Sequence, residues 1–310
     1  MDNYKRIQEL LHKKAELQAR LNLIPYDGSP EIKGTNGNKY IYIRKRIASK
    51  LTSTYVDLYS EELFQKLLKD AKESRALKKE LRHLEKELAL LGYVKEELTN
   101  NVLINLDYAR SSMKEIIYDQ AILEGVSTTF PQTETIIENG NVSGMKASDV
   151  QKILNLKHAW EFILDKDMMT YPSDFNLLSH IAKVVNEGFY EYGGKIRTVP
   201  VSIGGSTYRP SIPNETDVKN TLKSIEEENV TYMTAIELCL YCMKTQVFID
   251  GNKRTAVIFA NHYLISHGLG LLIIRSEVVP KFKQLLIEYY EERNSDIIEF
   301  MMDNCIKKIN

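Results

Sequence analysis

The feature that most constrains this chain is a sharp break between two apolar-rich helical runs. Residues 233–248 (MTAIELCLYCMKTQVF) read as one helix, the segment FIDGN turns, and KRTAVIFANHYLISHG begins a second helix that stops at Gly268. Such a turn presents a helix N-terminus, whose first N–H groups have no intrahelical acceptor. Gly251 lets an anion approach the backbone closely, and Lys253 and Arg254 add charge matched to phosphate oxygens. Asp250 is a hard oxygen ligand suited to magnesium, which usually takes one or two carboxylates together with the substrate's own phosphates. Asn252 can donate or accept in the same nest. An ordinary Asp-Gly-Asn turn with solvated basic residues would use the same letters.

The rest of the chain is long enough to surround such a turn. Its 310 residues, 43% of them apolar, support two domains and a sizeable core. Lysine and arginine number 41 against 42 acids, so no whole-chain field draws it to nucleic acid or acidic lipid. No stretch approaches the roughly eighteen uninterrupted apolar residues of a membrane span, and MDNYKRIQELLHKK has no apolar leader core. A soluble cytoplasmic protein is the expectation, with no membrane partner. Cys239, Cys242 and Cys305 fall in helix-like segments and suit reduced thiols. The Cys239–Cys242 pair lacks the companion ligands a zinc site needs.

Along the N-terminal part, residues 4–23 carry Ile7, Leu10, Leu11, Leu17 and Leu21 on one helical stripe. Pro25, Gly28, Pro30, Gly34, Gly37 and Asn38 then crowd what reads as a loop. KYIYIRKRI and KLTSTYVDLY alternate and predict a β-hairpin, and residues 60–92 predict a long, charged, coiled-coil-like helix closed by Gly92. Beyond a boundary near residues 92–105 the pattern is mostly helical. It is interrupted at 131–144 (PQTETIIENGNVSG) and at 193–213, where a Gly-Gly turn among β-branched residues and prolines predicts a small projecting hairpin.

The run Gln246–Arg254 resembles the Fic and death-on-curing superfamily, whose shared pattern is H-x-F-x-[DA]-[GAN]-N-[GK]-R. The match fails at the first letter, where Gln246 stands for histidine, and holds at Phe248, Asp250, Gly251, Asn252, Lys253 and Arg254. Two more family features occur in order. One is a G-x-x-R segment, Gly194 to Arg197, leading into a flap. The other is an upstream segment with Glu124, Gly125, Val126, Thr128 and Thr129 that is similar to the inhibitory helix. The resemblance implies an all-α core with a small β-hairpin flap (the Fic fold) over residues 101–310, with residues 107–130 as the inhibitory-helix-like part. Before it stands a small α+β accessory domain, residues 1–100.

The resemblance also implies ATP and Mg²⁺ in the loop and transfer of AMP, or of another phosphate-containing group, to a hydroxyl of a target protein. Asp250 would bind the metal, and Gly251, Asn252, Lys253 and Arg254 the nucleotide. Phe248 would hold the loop to the core. Val201, Ser202 and Ile203 in the flap would receive the target by strand addition.

Three departures bear on activity. Gln246 cannot ionise near neutral pH, whereas general-base help is typically worth about a hundred- to ten-thousandfold. Lys253 replaces the glycine usual in AMP-transferring members and resembles the death-on-curing branch, which phosphorylates its target. Val257 stands where a second arginine usually clamps the nucleotide and pairs with the inhibitory glutamate, so Glu124 is expected to lack that partner. Gln120 occupies a position where the inhibitory pattern prefers Ser or Thr, and Glu115 is a weaker inhibitory candidate. His180, His262 and His267 read as core or surface residues rather than as replacement bases. The sequence thus leaves two readings, a transferase weakened at Gln246 and an inactive Fic-fold regulator that binds nucleotide or a partner.

In the N-terminal hairpin Lys39, Tyr40, Tyr42, Arg44, Lys45, Arg46 and Lys50 interleave aromatics with cations. That pattern fits nucleic acid, an oligomerisation or targeting module, or an ordinary exposed sheet. The long helix fits a homo-oligomer or packing within its own domain.

Overall fold

A computed structural model describes residues 3–35, 37–47, 50–140 and 142–309. Ala48 and Ser49, between the hairpin strands, and Asn141, within the 131–144 interruption, lie outside the described residues. The chain divides into two compact units, residues 1–94 and 95–310.

The first unit runs α1 (Asn3–Leu23), β1 (Ser29–Thr35), β2 (Asn38–Ile47), β3 (Lys50–Leu58) and α2 (Glu61–Leu90). Helix α2 starts where Ser60 accepts the Leu63 N–H and where Glu61 and Glu62 favour the positive end of the helix dipole. One face of α2 buries Leu67, Ala71, Leu77, Leu81, Leu84 and Leu88 at three- and four-residue steps, with Ser74 among them. Leu84 and Leu88 pack with Leu10 and Leu11 of α1, while Leu67 packs with Ile41 and Ile43 of β2. The long helix therefore covers its own sheet and its own first helix. Asp27 anchors the connection. Lys45 and Lys78 bond to its carboxylate and hold its pKa down at about 2, with Ser74 adding a hydrogen bond.

The second unit is helical: α3 (Asn100–Ser111), α4 (Met113–Leu123), α5 (Phe130–Ile137), α6 (Ala147–Ile163), α7 (Phe175–Val185), α8 (Glu215–Glu228), α9 (Tyr232–Thr245), α10 (Asn252–Ser266), α11 (Val279–Tyr290) and α12 (Asp296–Asn304). Short strands β4 (Leu271–Leu272) and β5 (Ile306–Lys307) pair antiparallel. Helix α10 is the axle. It is buried at Asn252 and at every position from Arg254 to Ile265, as befits a helix apolar on all sides, and it packs against α3, α6, α7 and α9. Two of its buried polar side chains, Asn261 and His262, are fully engaged. Asn261 bonds Val257 O at 2.8 Å and exchanges two bonds with the backbone of Leu272, tying β4 to the helix. No described helix is long and apolar enough to cross a membrane.

Three sequence expectations change. The crowded loop contains β1, which makes the hairpin a three-stranded antiparallel sheet ordered β1-β2-β3. Pro30 fits there because β1 is an edge strand and need not donate along its open side. Residues 131–137 of the first interruption belong to α5, whose start is fixed by a capping box between Thr129 and Gln132. Pro131 sits in its first turn, where a missing N–H costs nothing. Residues 193–213 double back at a turn where the Ser206 N–H reaches Ile203 O at 3.2 Å, but they form no ladder. Pro200, Pro210 and Pro213 offer no N–H, and Arg197 takes the carbonyls of Val199, Pro210 and Ser211 that pairing would use.

His262, on α10, is fully buried. Its Nε2 lies 2.7 Å from the Met168 carbonyl, which only an N–H can satisfy, and its Nδ1 lies 2.9 Å from the Ser173 hydroxyl. The ring is held neutral, and burial pushes its pKa from 6.5 to about 4. The folded value lies below the unfolded one, so between them the unfolded chain binds the extra proton. Stability is complete above about pH 6.5 and falls as pH drops toward 4, by on the order of 3 kcal/mol over the whole window. Urea midpoints read from the fluorescence of Trp160, the single and buried tryptophan, should fall between about pH 7 and pH 5. The fall should be shallower in His262→Gln, and equal slopes would contradict the assignment.

Candidate functional site

Helix α9 ends on Gln246, whose backbone takes the left-handed conformation at φ 49°, ψ 59°. Gly251 takes it again at φ 74° and is the N-cap of α10. Two left-handed residues thus bracket a tight loop that reverses the chain between two packed helices. Phe248 is buried at its centre. The Asn252 side chain closes the loop from the helix side, accepting the Phe248 N–H at 2.9 Å and donating to Phe248 O at 2.8 Å. Gln246 completes the ring. Its Nε2 donates to Met243 O at 2.6 Å and its Oε1 accepts from Asn252 Nδ2 at 3.2 Å.

Because a glycine caps α10, no side chain satisfies the first turn. Among the described residues no acceptor reaches the N–H groups of Asn252, Lys253 or Arg254. This is an open anion site by the ordinary logic of helix starts. The glycine is required twice over. Beyond its positive φ, a Cβ at Gly251 would lie 2.9 Å from both Asn186 Oδ1 and Val185 Cγ1.

The charges around this turn are arranged in a cluster. Arg254 is 1% exposed; its guanidinium reaches Val185 O and Asp250 Oδ2, each at 3.3 Å, and lies 3.5 Å from Glu124 Oε2 through Nε. Lys253 Nζ lies 3.7 Å from Glu124 Oε1. Both Arg254 Nε and Glu124 Oε1 lack a hydrogen bond although they are buried. Glu124 has no arginine at position 257 to meet, and its cationic neighbours are Arg254 and Lys253. Val257 lies one turn further along α10 and is buried, while Arg254, at the start of the helix, takes the role of cationic neighbour. Asp250 is exposed, with Oδ2 turned to Arg254.

Several residues support the loop through bonds to backbone carbonyls. Gln120 on α4, buried, donates to Arg254 O at 2.8 Å and accepts from Trp160 Nε1 at 2.9 Å, so α4, α6 and α10 are locked where Glu124 emerges. Asn186, just past α7, donates to Asp250 O at 3.0 Å and to Gly193 O at 3.2 Å. The Gly193-Gly194 pair is packed against α7 so closely that a Cβ at Gly194 would fall 2.4 Å from Ser179 O. Arg197, 3% exposed, is the pin of the whole region. Its guanidinium bonds Gln246 O at 2.6 Å and Thr245 O at 3.4 Å as well as the three flap carbonyls. Its sequence signal was the G-x-x-R spacing, which gave the position but not the task.

In the flap, Val201 and Ile203 are half-buried and Ser202 is exposed. The far side of the turn is fixed to the end of α11, where Glu291 accepts from Ser206 Oγ at 2.9 Å and from the Thr207 N–H at 2.8 Å, and Tyr208 stacks on Tyr290. Beside the loop is a cavity of about 380 Å³, lined by Tyr190, Tyr192, Lys195, Arg197, Val199 and Ile249. A second cavity, about 450 Å³, lies between α4 and the residues before α11, and Glu115 lines it together with Asp119 and Arg275. Cys239, Cys242 and Cys305 are buried free thiols, the latter two pushed up to about 12 by burial.

Comparison with known proteins follows this geometry. Residues 172–264 match the model of the Fic/DOC family, and residues 4–65 match a domain of unknown function, DUF6788. No curated protein matches. Among solved structures, Fic-1 (residues 134–508) from C. elegans is similar with a TM-score of 0.53 at 17% identity, over 77% of this chain and 72% of that one. A Fic domain containing signaling protein from Bacteroides thetaiotaomicron gives 0.54 at 18% identity, over 67% and 86%. A Fic family protein from Desulfovibrio desulfuricans gives 0.51 at 16% identity, over 68% and 74%. At these identities the likeness is one of fold.

Gly251→Ala should destabilise the protein by about 1–3 kcal/mol, the usual cost of a residue forced into a sparsely populated backbone region. Gly204→Ala, where nothing lies within 4 Å, should stay within about 0.5 kcal/mol. Urea unfolding of both variants checks the contrast, and equal midpoints would contradict the loop geometry.

Proposed function

We propose, for a chain that belongs to the Fic/DOC family through residues 172–264, that the loop from Gln246 to Arg254 binds ATP with Mg²⁺ and serves a slow transfer of a phosphate-containing group to a target protein's hydroxyl. The observation that carries this is the uncapped start of α10. Among the described residues, the N–H groups of Asn252, Lys253 and Arg254 have no acceptor and no side chain caps the helix, beside the cations of Lys253 and Arg254.

The residues present fit a nucleotide and a metal. Anionic oxygens would satisfy the open N–H groups and give Arg254 Nε the hydrogen bond it lacks. Asp250, exposed at the mouth, would hold magnesium, which would supply positive charge against the phosphates. Lys253 would add a point charge. The cavity beside Ile249 and Val199 would take part of the target segment, with Val201, Ser202 and Ile203 alongside.

Glu124 supports an internal brake. Its carboxylate lies against Arg254 and Lys253, the two cations a phosphate needs, so nucleotide must displace it or share them. Helix α4 cannot yield freely, because Gln120 bonds both Arg254 O and Trp160. We read the result as weak binding in the resting state.

Gln246 sets the rate. In a transfer the target oxygen forms a bond to phosphorus, a phosphate–oxygen bond of the nucleotide breaks, and the hydroxyl proton must leave. Gln246 has no basic atom to take it, and its amide is already committed to Met243 O and Asn252. His262 does not replace it, being buried and engaged with Met168 and Ser173. Positioning and phosphate electrostatics remain, and they give a residual rate. A pure binding protein is the other reading, favoured by the same committed amide.

The chain and its Gln246→His variant, each incubated with α- or γ-labelled ATP and a lysate, separate these readings. Label transfer by the variant should exceed that by the parent by about a hundred- to ten-thousandfold. An α-label on the target identifies AMP transfer, and a γ-label without it identifies phosphate transfer. Binding without transfer by either leaves the regulator reading. Absence of ATP binding by both, measured calorimetrically with Mg²⁺, refutes the nucleotide site.

A further inference from the structure

The sheet of the first unit has two unlike faces. One buries Ile41 and Ile43 against Leu67 of α2. On the other, Tyr55 of β3 is 51% exposed, with its ring centroid 6.2 Å from that of Tyr40 and 5.7 Å from that of Tyr42. The register explains the cluster, since Tyr42 pairs directly with Tyr55 and Tyr40 lies two residues back on the same face. A third strand contributes Lys33, whose ammonium stands 4.5 Å from the Tyr42 ring centre.

The same face continues along β2 to Arg44 and Arg46, both exposed, and neither forms an ion pair among the described residues. Of the acids nearby, Glu31 is held by Lys33 at 3.0 Å and by Ser53 at 2.5 Å, while Asp57 of β3, exposed, stands close enough to Tyr55 to add to desolvation in raising its pKa and is a repulsive neighbour that a bound strand must clear. One end of the surface is thus a set of rings, and the other is a pair of exposed guanidinium groups, of which Arg44 also acts on Glu31 from a distance.

We propose that this face binds single-stranded nucleic acid, with bases stacked on Tyr40, Tyr42 and Tyr55 and the backbone phosphates drawn along Arg44 and Arg46. Two residues of strand rise, about 7 Å, separate Tyr40 from Tyr42, so each ring can take its own base. Aromatic platforms beside a cationic track are how proteins hold unpaired strands without reading sequence. A protein partner is the weaker occupant. The centre of a protein interface is depleted in charge, whereas here a lysine sits on the rings and two arginines border them. A duplex hides the base faces that the rings would use. The inference is independent of the nucleotide loop, which belongs to the other unit.

The test uses the full chain and fluorescein-labelled oligonucleotides of about 15 nucleotides, oligo-dT, oligo-U and a duplex, followed by anisotropy. Both single strands should bind at low salt and the duplex more weakly. A preference for oligo-U or for oligo-dT then distinguishes RNA from DNA through the 2′-hydroxyl. Tyr55→Ala should weaken binding roughly 5- to 100-fold, and Tyr55→Phe, which keeps the stacking face, should restore it. Arg44→Gln and Arg46→Gln should each lower the log–log salt slope by about 0.7. Circular dichroism confirms that each variant keeps the fold. The proposal is overturned by absence of binding at low salt, by equal affinity for the duplex, or by an unchanged affinity in folded Tyr55→Ala. It is also overturned if Tyr55→Ala alters only the chain's self-association, which would make the face a protein interface.

Discussion

A helix buried on every side leaves only its ends for chemistry, and the second unit is built on that constraint. Helix α10 is enclosed from Arg254 to Ile265, so its N-terminus is the one place where its backbone dipoles can meet a ligand. Glycine at the cap keeps that end open, and left-handed turns at Gln246 and Gly251 bring the preceding helix back without covering it. Asn252, Asn186 and Arg197 then bond carbonyls of the turn, which would otherwise compete for whatever approaches. The scaffold spends its polar groups on shape and leaves the N–H groups open.

The charges follow the same division. Arg254 and Glu124 are both buried at the rim, each with a polar atom that lacks a hydrogen bond. Buried polar atoms without partners are costly and uncommon, and two of them face each other across this rim. Lys253 and Asp250 complete a set of two cations and two acids, in which each cation already lies beside a carboxylate. Gln246 is fixed within the turn by its bonds to Met243 and Asn252.

The first unit obeys a different rule. A three-stranded sheet and one amphipathic helix have too few faces to bury everything, so α2 takes Ile41 and Ile43 and the opposite side stays in water. What a solvent-facing sheet shows there is usually polar. Here it shows Tyr40 and Tyr42 each against Tyr55, with cations beside them. Large aromatic groups kept in water lose the stabilisation that burial would give, which makes their contiguity the informative observation in this unit.

The letters of the chain determined a good deal. Helical periodicity located α1, α2, α9 and α10, because each follows from local spacing of apolar residues and from caps such as Ser60 and Gly268. The loop letters placed Asp250, Gly251, Lys253 and Arg254 together, since four residues across one turn cannot be far apart. Local reasoning missed β1, since Pro30 and Gly34 look like loop until a neighbouring strand supplies hydrogen bonds. It missed α5, whose capping box was hidden behind a proline. It gave the 193–213 segment a ladder that Arg197 prevents. Above all, only tertiary structure could decide which cation faces Glu124. The family-like spacing pointed to position 257, but Glu124 and Arg254 are 130 residues apart in sequence, and their meeting depends on how α4, fixed by Gln120 and Trp160, packs across the start of α10. Sequence sets what a residue can do chemically, and packing between distant segments sets what it does it to.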